Sequence, residues 1–178
     1  MQERHIMEGI ILVNNVPVDK AGTKVPSDAE IRIKGHIMPY VGRGGYKLEK
    51  ALKFFKIDLN GKVVADIGAS TGGFTDCALN SACALKNGAV KVYAIDVGTN
   101  QLDWKLRTDQ RVINMEKTNI KLVTLETLGE PVDFVCTDIS FISVTKIIPA
   151  VKSILKPDGS IAALIKPQFE AGREKVGK

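Results

Sequence analysis

Histidine and cysteine are scarce in this chain of 178 residues, and their scarcity excludes several chemistries at the outset. The two histidines, His5 and His36, both lie near the start, a poor basis for a histidine-centred triad or metal site. The three cysteines, Cys77, Cys83 and Cys136, are an odd number at spacings that match no zinc pattern. They sit in apolar runs and read as reduced, buried thiols of a cytoplasmic protein, with no disulfide framework and no metal. No run approaches the roughly 20 apolar residues of a membrane span. The opening residues lack the layout of a signal peptide, and no basic amphipathic helix carries aromatic anchors. Secretion and membrane partners are therefore not expected.

What is present is a globular balance, with 44% hydrophobic and 25% charged residues. The length suits one medium domain plus a fragment of another, and it supports a core without disulfides. The net charge is +5, but it is unevenly spread. Between residues 31 and 56, Arg32, Lys34, Arg43, Lys47, Lys50, Lys53 and Lys56 face Glu49 alone, six net positive charges in one stretch. Such a cluster suits a polyanion, because each phosphate contact releases condensed counterions. It equally describes a solvated helix face, so charge alone does not decide.

Residues 1–38 read as a small β-rich unit. Residues 9–13 lead into the turn pair Asn14-Asn15 and then Val16-Pro17-Val18. Residues 29–34 alternate apolar and charged side chains, the pattern of a half-buried strand. Residues 39–45, punctuated by glycine and proline, read as a linker. From residue 46 the pattern becomes alternating helices and strands, starting with an amphipathic helix at 46–56. Strands are expected at 63–67, 91–96, 111–115, 132–136 and 161–165, and helices at 72–86, 101–107, 121–128 and 143–155. Short apolar strands separated by helices imply an α/β fold, a doubly wound parallel sheet covered on both faces. The last strand would be an uncovered apolar edge, so the chain reads as incomplete at its C-terminus and also at its N-terminus.

The turn after the first strand of this sheet, Asp66-Ile67-Gly68-Ala69-Ser70-Thr71-Gly72-Gly73-Phe74, carries glycines where doubly wound folds bind ligands. The spacing is neither G-x-G-x-x-G nor a P-loop, which disfavours a pyrophosphate or triphosphate. Asp96, ending the next strand, can accept hydrogen bonds from both hydroxyls of a ribose. Together with Asp66 and the glycine turn it suits S-adenosylmethionine, although Asp96 alone would also serve NAD. Three further polar residues stand where the fold would gather them: Lys47 opening the first helix, Asp138 after the fourth strand, and Lys166 ending the fifth. A lysine beside a second cation and partly desolvated is competent as a base, and an aspartate can hold the ammonium groups in place.

At these residues the chain resembles a known family. Arg43-Gly44-Gly45-Tyr46-Lys47-Leu48, residues 66–77, Asp96-Val97-Gly98, residues 101–107, Asp138-Ile139-Ser140-Phe141 and Lys166-Pro167-Gln168-Phe169-Glu170 are similar to blocks of the TlyA-type haemolysins and ribosomal RNA 2′-O-methyltransferases. They are more distantly similar to the FtsJ-like ribose methyltransferases. Residues 4–35 resemble the second half of an RNA-binding module named after ribosomal protein S four.

The resemblance implies a Rossmann-like methyltransferase domain over residues 46–178 and methylation of ribose 2′-hydroxyls in ribosomal RNA or ribosomal subunits. It assigns Lys47, Asp138 and Lys166 to a Lys-Asp-Lys-Glu tetrad; Glu170 and Glu174 do not stand in the context of its glutamate. Asp66, Gly68, Ala69, Ser70, Thr71, Gly72, Gly73, Phe74, Asp96 and Val97 would hold the cofactor, with Glu116 and Asn119 on its adenine side. Arg32, Lys34, Arg43 and Lys50 would meet RNA, and Trp104 is expected in the core. Two other readings stay open: a catalytically silent binder of cofactor or RNA, and a membrane-active haemolysin.

Overall fold

The computed structural model describes residues 6–7, 9–34, 38–80 and 88–171, and the chain divides into two units, Met1–Pro39 and Tyr40–Lys178. His5, His36, Cys83, Glu174 and the second half of the helix expected at 72–86 lie outside the described residues.

The first unit is a three-stranded antiparallel sheet of β1 (Ile11–Val13), β2 (Val16–Val18) and β3 (Ile31–Ile33), with β1 in the centre. Asn14 and Asn15 both take positive φ, 49° and 66°, the two-residue hairpin turn whose twist matches its strands. The alternation in β3 predicts half-buried isoleucines, yet Ile31 and Ile33 are 63% and 49% exposed within this unit. Strands of three residues make too small a face to enclose them.

The second unit opens with α1 (Gly44–Phe55), two residues earlier than its apolar spacing suggests. Residues 40–45 are not a free linker: Tyr40 is buried in the core, and Gly45 packs against its ring. Then follow β4 (Val63–Ile67), α2 (Gly73–Leu79), β5 (Lys91–Ile95), α3 (Trp104–Arg107), β6 (Val112–Met115), α4 (Leu125–Leu128), β7 (Val132–Thr137), α5 (Ile148–Ile154), β8 (Leu155–Ala163) and α6 (Pro167–Glu170). The five strands form a parallel sheet in the order β6-β5-β4-β7-β8, so the chain reverses direction across the sheet between β4 and β7.

Alternation along β4 shows why both faces are covered. Val64 joins a cluster with Leu48, Leu52, Cys77, Leu79 and Leu106 from α1, α2 and α3, whereas Ala65 and Ile67 face Ile120, Leu128, Val151 and Ile154. Cys77 and Cys136 are buried free thiols.

The helices are more broken than their periodicity suggests. Residues 120–122 and 144–146 are single 3₁₀ turns preceding α4 and α5, and α3 is one turn long. Ser143 caps the 3₁₀ turn before α5, and Pro149 near the start of α5 supplies no amide. β8 also differs from expectation. Val132 pairs with Leu155 but Phe134 pairs with Ser160, so residues 156–159 form an excursion opposite Asp133. The strand stops at Ala163, and Lys166 caps α6 rather than ending a strand. Trp104, expected in the core, is 75% exposed at the start of α3, while Leu106 two residues on takes the buried place.

Candidate active site

The site lies at the carboxyl ends of β4, β5 and β7, on either side of the reversal, where doubly wound sheets leave a crevice. After Ile67 the backbone takes positive φ at Gly68 (83°), Ser70 (50°) and Gly72 (94°) before α2 begins. At Gly72 a side chain is also excluded by space, since a β-carbon would overlap Leu106 Cδ1 and stand 2.8 Å from Leu102 Cδ1. A β-carbon on Gly73 would lie 3.0 Å from Gly45 N and 3.1 Å from Gly42 O. The two glycine pairs therefore let the segment leading into α1 lie directly on the start of α2. Fully buried Asp76 fixes that contact by accepting the Val41 amide (2.8 Å) and the Lys105 ammonium (2.8 Å).

Asp96, just past β5, is oriented by two backbone amides: Ser70 donates to Oδ2 and Gly98 to Oδ1, each at 2.7 Å. Each oxygen retains a further lone pair. Val97 beside it is 72% exposed. Asp66 is buried one residue before the turn, and Thr75 Oγ1 donates to it at 2.7 Å. Burial pushes its carboxyl up to about 7, against the lowering pull of the Thr75 hydrogen bonds, with the charges of Asp96 and Asp138 adding to the rise.

Glu116 and Asn119, expected near an adenine, are placed past β6 with bonds to local structure. Glu116 Oε1 accepts from Gln101 N (2.8 Å), Leu102 N (3.3 Å) and Arg107 Nη2 (2.5 Å). The Arg107 guanidinium is the chief reason its carboxyl falls to about 2. Asn119 is exposed and caps the 3₁₀ turn at 120–122 by accepting the Lys121 amide.

Across the crevice, three elements bring Lys47, Asp138 and Lys166 together. Lys47 Nζ donates to Asp138 Oδ2 at 2.7 Å, and Lys166 Nζ lies 2.6 Å from Asp138 Oδ1. The same ammonium also donates to Ser140 Oγ (2.8 Å) and Asp138 O (3.3 Å). These three residues border a cleft of about 300 Å³ that also takes in Gly68, Ser70 and Arg43. A larger cavity of about 420 Å³ lies between α1 and β8 and shares Lys47 and Phe74, but its remaining walls are apolar. The polar cleft is where chemistry can occur.

Three residues that the sequence reading quoted within family blocks but gave no role also stand here: Ser140 on Lys166, Phe141, and Glu170. Phe141 is 92% exposed with φ 66°, and its ring stands 5.3 Å from that of Phe169. Nothing in local periodicity marks it; only its place three residues after Asp138 does. Arg43 and Lys50 are exposed in the second unit, and Arg32 and Lys34 are exposed in the first. Among the described residues no cluster of His, Cys, Asp and Glu could hold a metal ion, and no helix is long and apolar enough to cross a membrane.

Comparison with known proteins agrees with this architecture. A family model described as FtsJ-like methyltransferase matches residues 40–178. YqxC of Bacillus subtilis, an inferred rRNA methyltransferase, is 51% identical over 178 residues, covering 99% of this chain and 61% of that protein. The Mycobacterium tuberculosis H37Rv protein named 16S/23S rRNA (cytidine-2'-O)-methyltransferase TlyA is 39% identical over 170 residues, covering 95% of this chain and 61% of that protein. A solved structure of an inferred hemolysin from Streptococcus thermophilus superposes with a TM-score of 0.75 at 46% identity, covering 98% of this chain and 62% of that one. The chain thus spans about three fifths of the length of these curated relatives. Sequence blocks, strand order and the placement of the glycine turn agree: the chain belongs to the FtsJ-like methyltransferase family.

Proposed function

We propose that the protein methylates ribose 2′-hydroxyls of ribosomal RNA with S-adenosylmethionine as the donor. The observation that carries this reading is the convergence of Lys47 and Lys166 on the single carboxylate of Asp138, across the crevice from the glycine turn. Two ammonium groups against one carboxylate leave the cleft with surplus positive charge, which favours a hydroxyl losing its proton. A lysine takes a proton only as its neutral amine, so whichever of Lys47 and Lys166 has shed its proton accepts the one from the hydroxyl. The other stays an ammonium that steadies the oxyanion, and Asp138 fixes the spacing of both.

The residues present fit the cofactor. Asp96, oriented through Ser70 and Gly98, has lone pairs for both hydroxyls of the cofactor's ribose, and the turn at Gly68–Gly72 presents backbone at close range. Glu116 and Asn119 are proposed for the adenine side, and Val97 for the cofactor beside Asp96. When bound, S-adenosylmethionine supplies an activated methyl group on its sulfonium. Arg43 and Lys50 are proposed to meet RNA phosphates, and residues 1–38, with Arg32 and Lys34, to form part of an RNA-binding module.

Calorimetric titration with S-adenosylmethionine, with NAD as control, tests the cofactor. Saturable binding of the first alone, weakened at least about tenfold by Asp96→Ala, is expected, given about 1.4 kcal/mol per decade. Transfer of labelled methyl groups to ribosomal RNA tests the reaction. Asp138→Asn should lower transfer by about a hundredfold while cofactor affinity stays within about twofold. Cofactor binding without any transfer, at this length and at the full length of the relatives, would make the protein a silent binder. Binding of NAD would overturn the cofactor reading. Leakage of dye from liposomes would favour the haemolysin.

A further inference from the structure

The arch from Asp138 to Val144 is fastened at both feet to the single turn of α6. At the near foot, Lys166, the residue capping α6, reaches Asp138 and Ser140. At the far foot, Glu170, the last residue of α6, accepts the Ser143 hydroxyl at 2.6 Å on Oε2 and the Val144 amide at 2.8 Å on Oε1. Between the feet, Phe141 is held at φ 66° with its ring exposed. A bulky residue in the left-handed region is unfavourable and persists only where its surroundings over-determine it. The contact with Phe169, which also lies on α6, adds a third tie. Asp138 is held from β7, its amide 3.4 Å from Ile67 O, so the far foot governs the path of residues 139–143 and with it Ser140, which shares the Lys166 ammonium with Asp138.

We infer that Glu170 is a positioning residue: by fastening the far foot of the 138–144 arch it presets the place of Ser140 and, through it, the setting of Lys166 against Asp138. Its carboxylate bonds none of Lys47, Asp138 and Lys166, and it is not offered as the fourth member of a tetrad. The ties to Ser143 and Val144 also hold its carboxyl below the usual carboxylate range, so it is ionised at neutral pH. The role depends on hydrogen-bond acceptance, not on charge. A glutamine at this position keeps an acceptor for the Val144 amide and still bonds Ser143, whereas alanine keeps neither.

This inference rests on the methyltransferase reading, so its test has one readout independent of activity. Hydrogen exchange of the Val144 amide should accelerate at least about tenfold in Glu170→Ala and remain near wild type in Glu170→Gln. Unchanged exchange in Glu170→Ala would overturn the clamp itself. In methyl-transfer assays at saturating cofactor and RNA, Glu170→Ala should lower the rate about tenfold or more, with cofactor affinity unchanged, and Glu170→Gln should restore it to within about twofold. Equal loss in both variants would show that the charge acts directly, and full activity in Glu170→Ala would show a merely local cap; either overturns the positioning role. If wild type binds cofactor yet transfers no methyl group, the functional reading and the positioning role fail together, while the Val144 exchange still decides whether the clamp exists.

Discussion

Asp66 is the residue with the clearest consequence outside the reaction. Its carboxyl is buried without a cation and raised from an ordinary 3.8 to about 7. Between those values the folded chain keeps a proton that the unfolded chain releases, so this group's contribution to stability falls as pH rises from about 4 to about 7 and then levels off. The loss is on the order of 4 kcal/mol at most. Asp66→Asn preserves an acceptor for Thr75 and never ionises. Urea unfolding at pH 5 and pH 8 should show wild type losing stability relative to this variant; parallel behaviour would sink the assignment. Glu116 runs the other way, since its Arg107 partner favours the charged form and its contribution, full above about 4.5, is lost as pH falls from there through about 2.

At the scale of elements, the turn at Gly68–Gly72 is the most constrained piece of the fold. Gly72→Ala would place a β-carbon at φ 94° against Leu102 and Leu106. A loss of about 2 kcal/mol or more is expected from the denaturation midpoint, with weaker cofactor binding, because α3 must move away from the turn. Such turns were legible in the sequence, as were β4 to β7, because buried parallel strands are short apolar runs bounded by glycine, asparagine and aspartate. Lys47, Asp138 and Lys166 were legible from their places at a helix start and two strand ends, and the family resemblance named them together. The misread elements share one cause. Residues 40–45 look like a linker by composition, but Tyr40 and the Asp76–Val41 bond tie them into the core. Trp104 looks like a core residue by type, yet α3 is a single turn whose one buried face belongs to Leu106. Glu170 was named in the sequence but its tie to the arch was not legible, because α6 is a single turn and its partners lie 26 and 27 residues earlier.

Across the whole molecule, the positive charge concentrated in residues 31–56 sets an expectation for RNA binding. Arg43 and Lys50 are exposed on the unit that carries the cleft. If both meet phosphates, replacing them with alanine should reduce the slope of log affinity against log salt by roughly 1.5, at about 0.7 to 0.9 per contact. An unchanged slope from 50 to 300 mM salt (on the order of the range where such slopes are read) would assign both residues to solvent.

The excursion in β8 bears on how much of the sheet's outer side a further strand can use. An edge strand offers a row of open amides and carbonyls to which another chain can add, and β8 lies at the edge of the sheet. Residues 156–159 interrupt that row with Pro157, which has no amide to offer, and with Lys156 drawn inward to Asp133 at 2.7 Å. Only Ser160 to Ala163 remain in regular register with β7, four residues along which an added strand could pair. Among the described residues, the kink that blurred the strand's sequence pattern thus shortens the stretch of β8 along which a further strand, of this chain or another, can add in regular register.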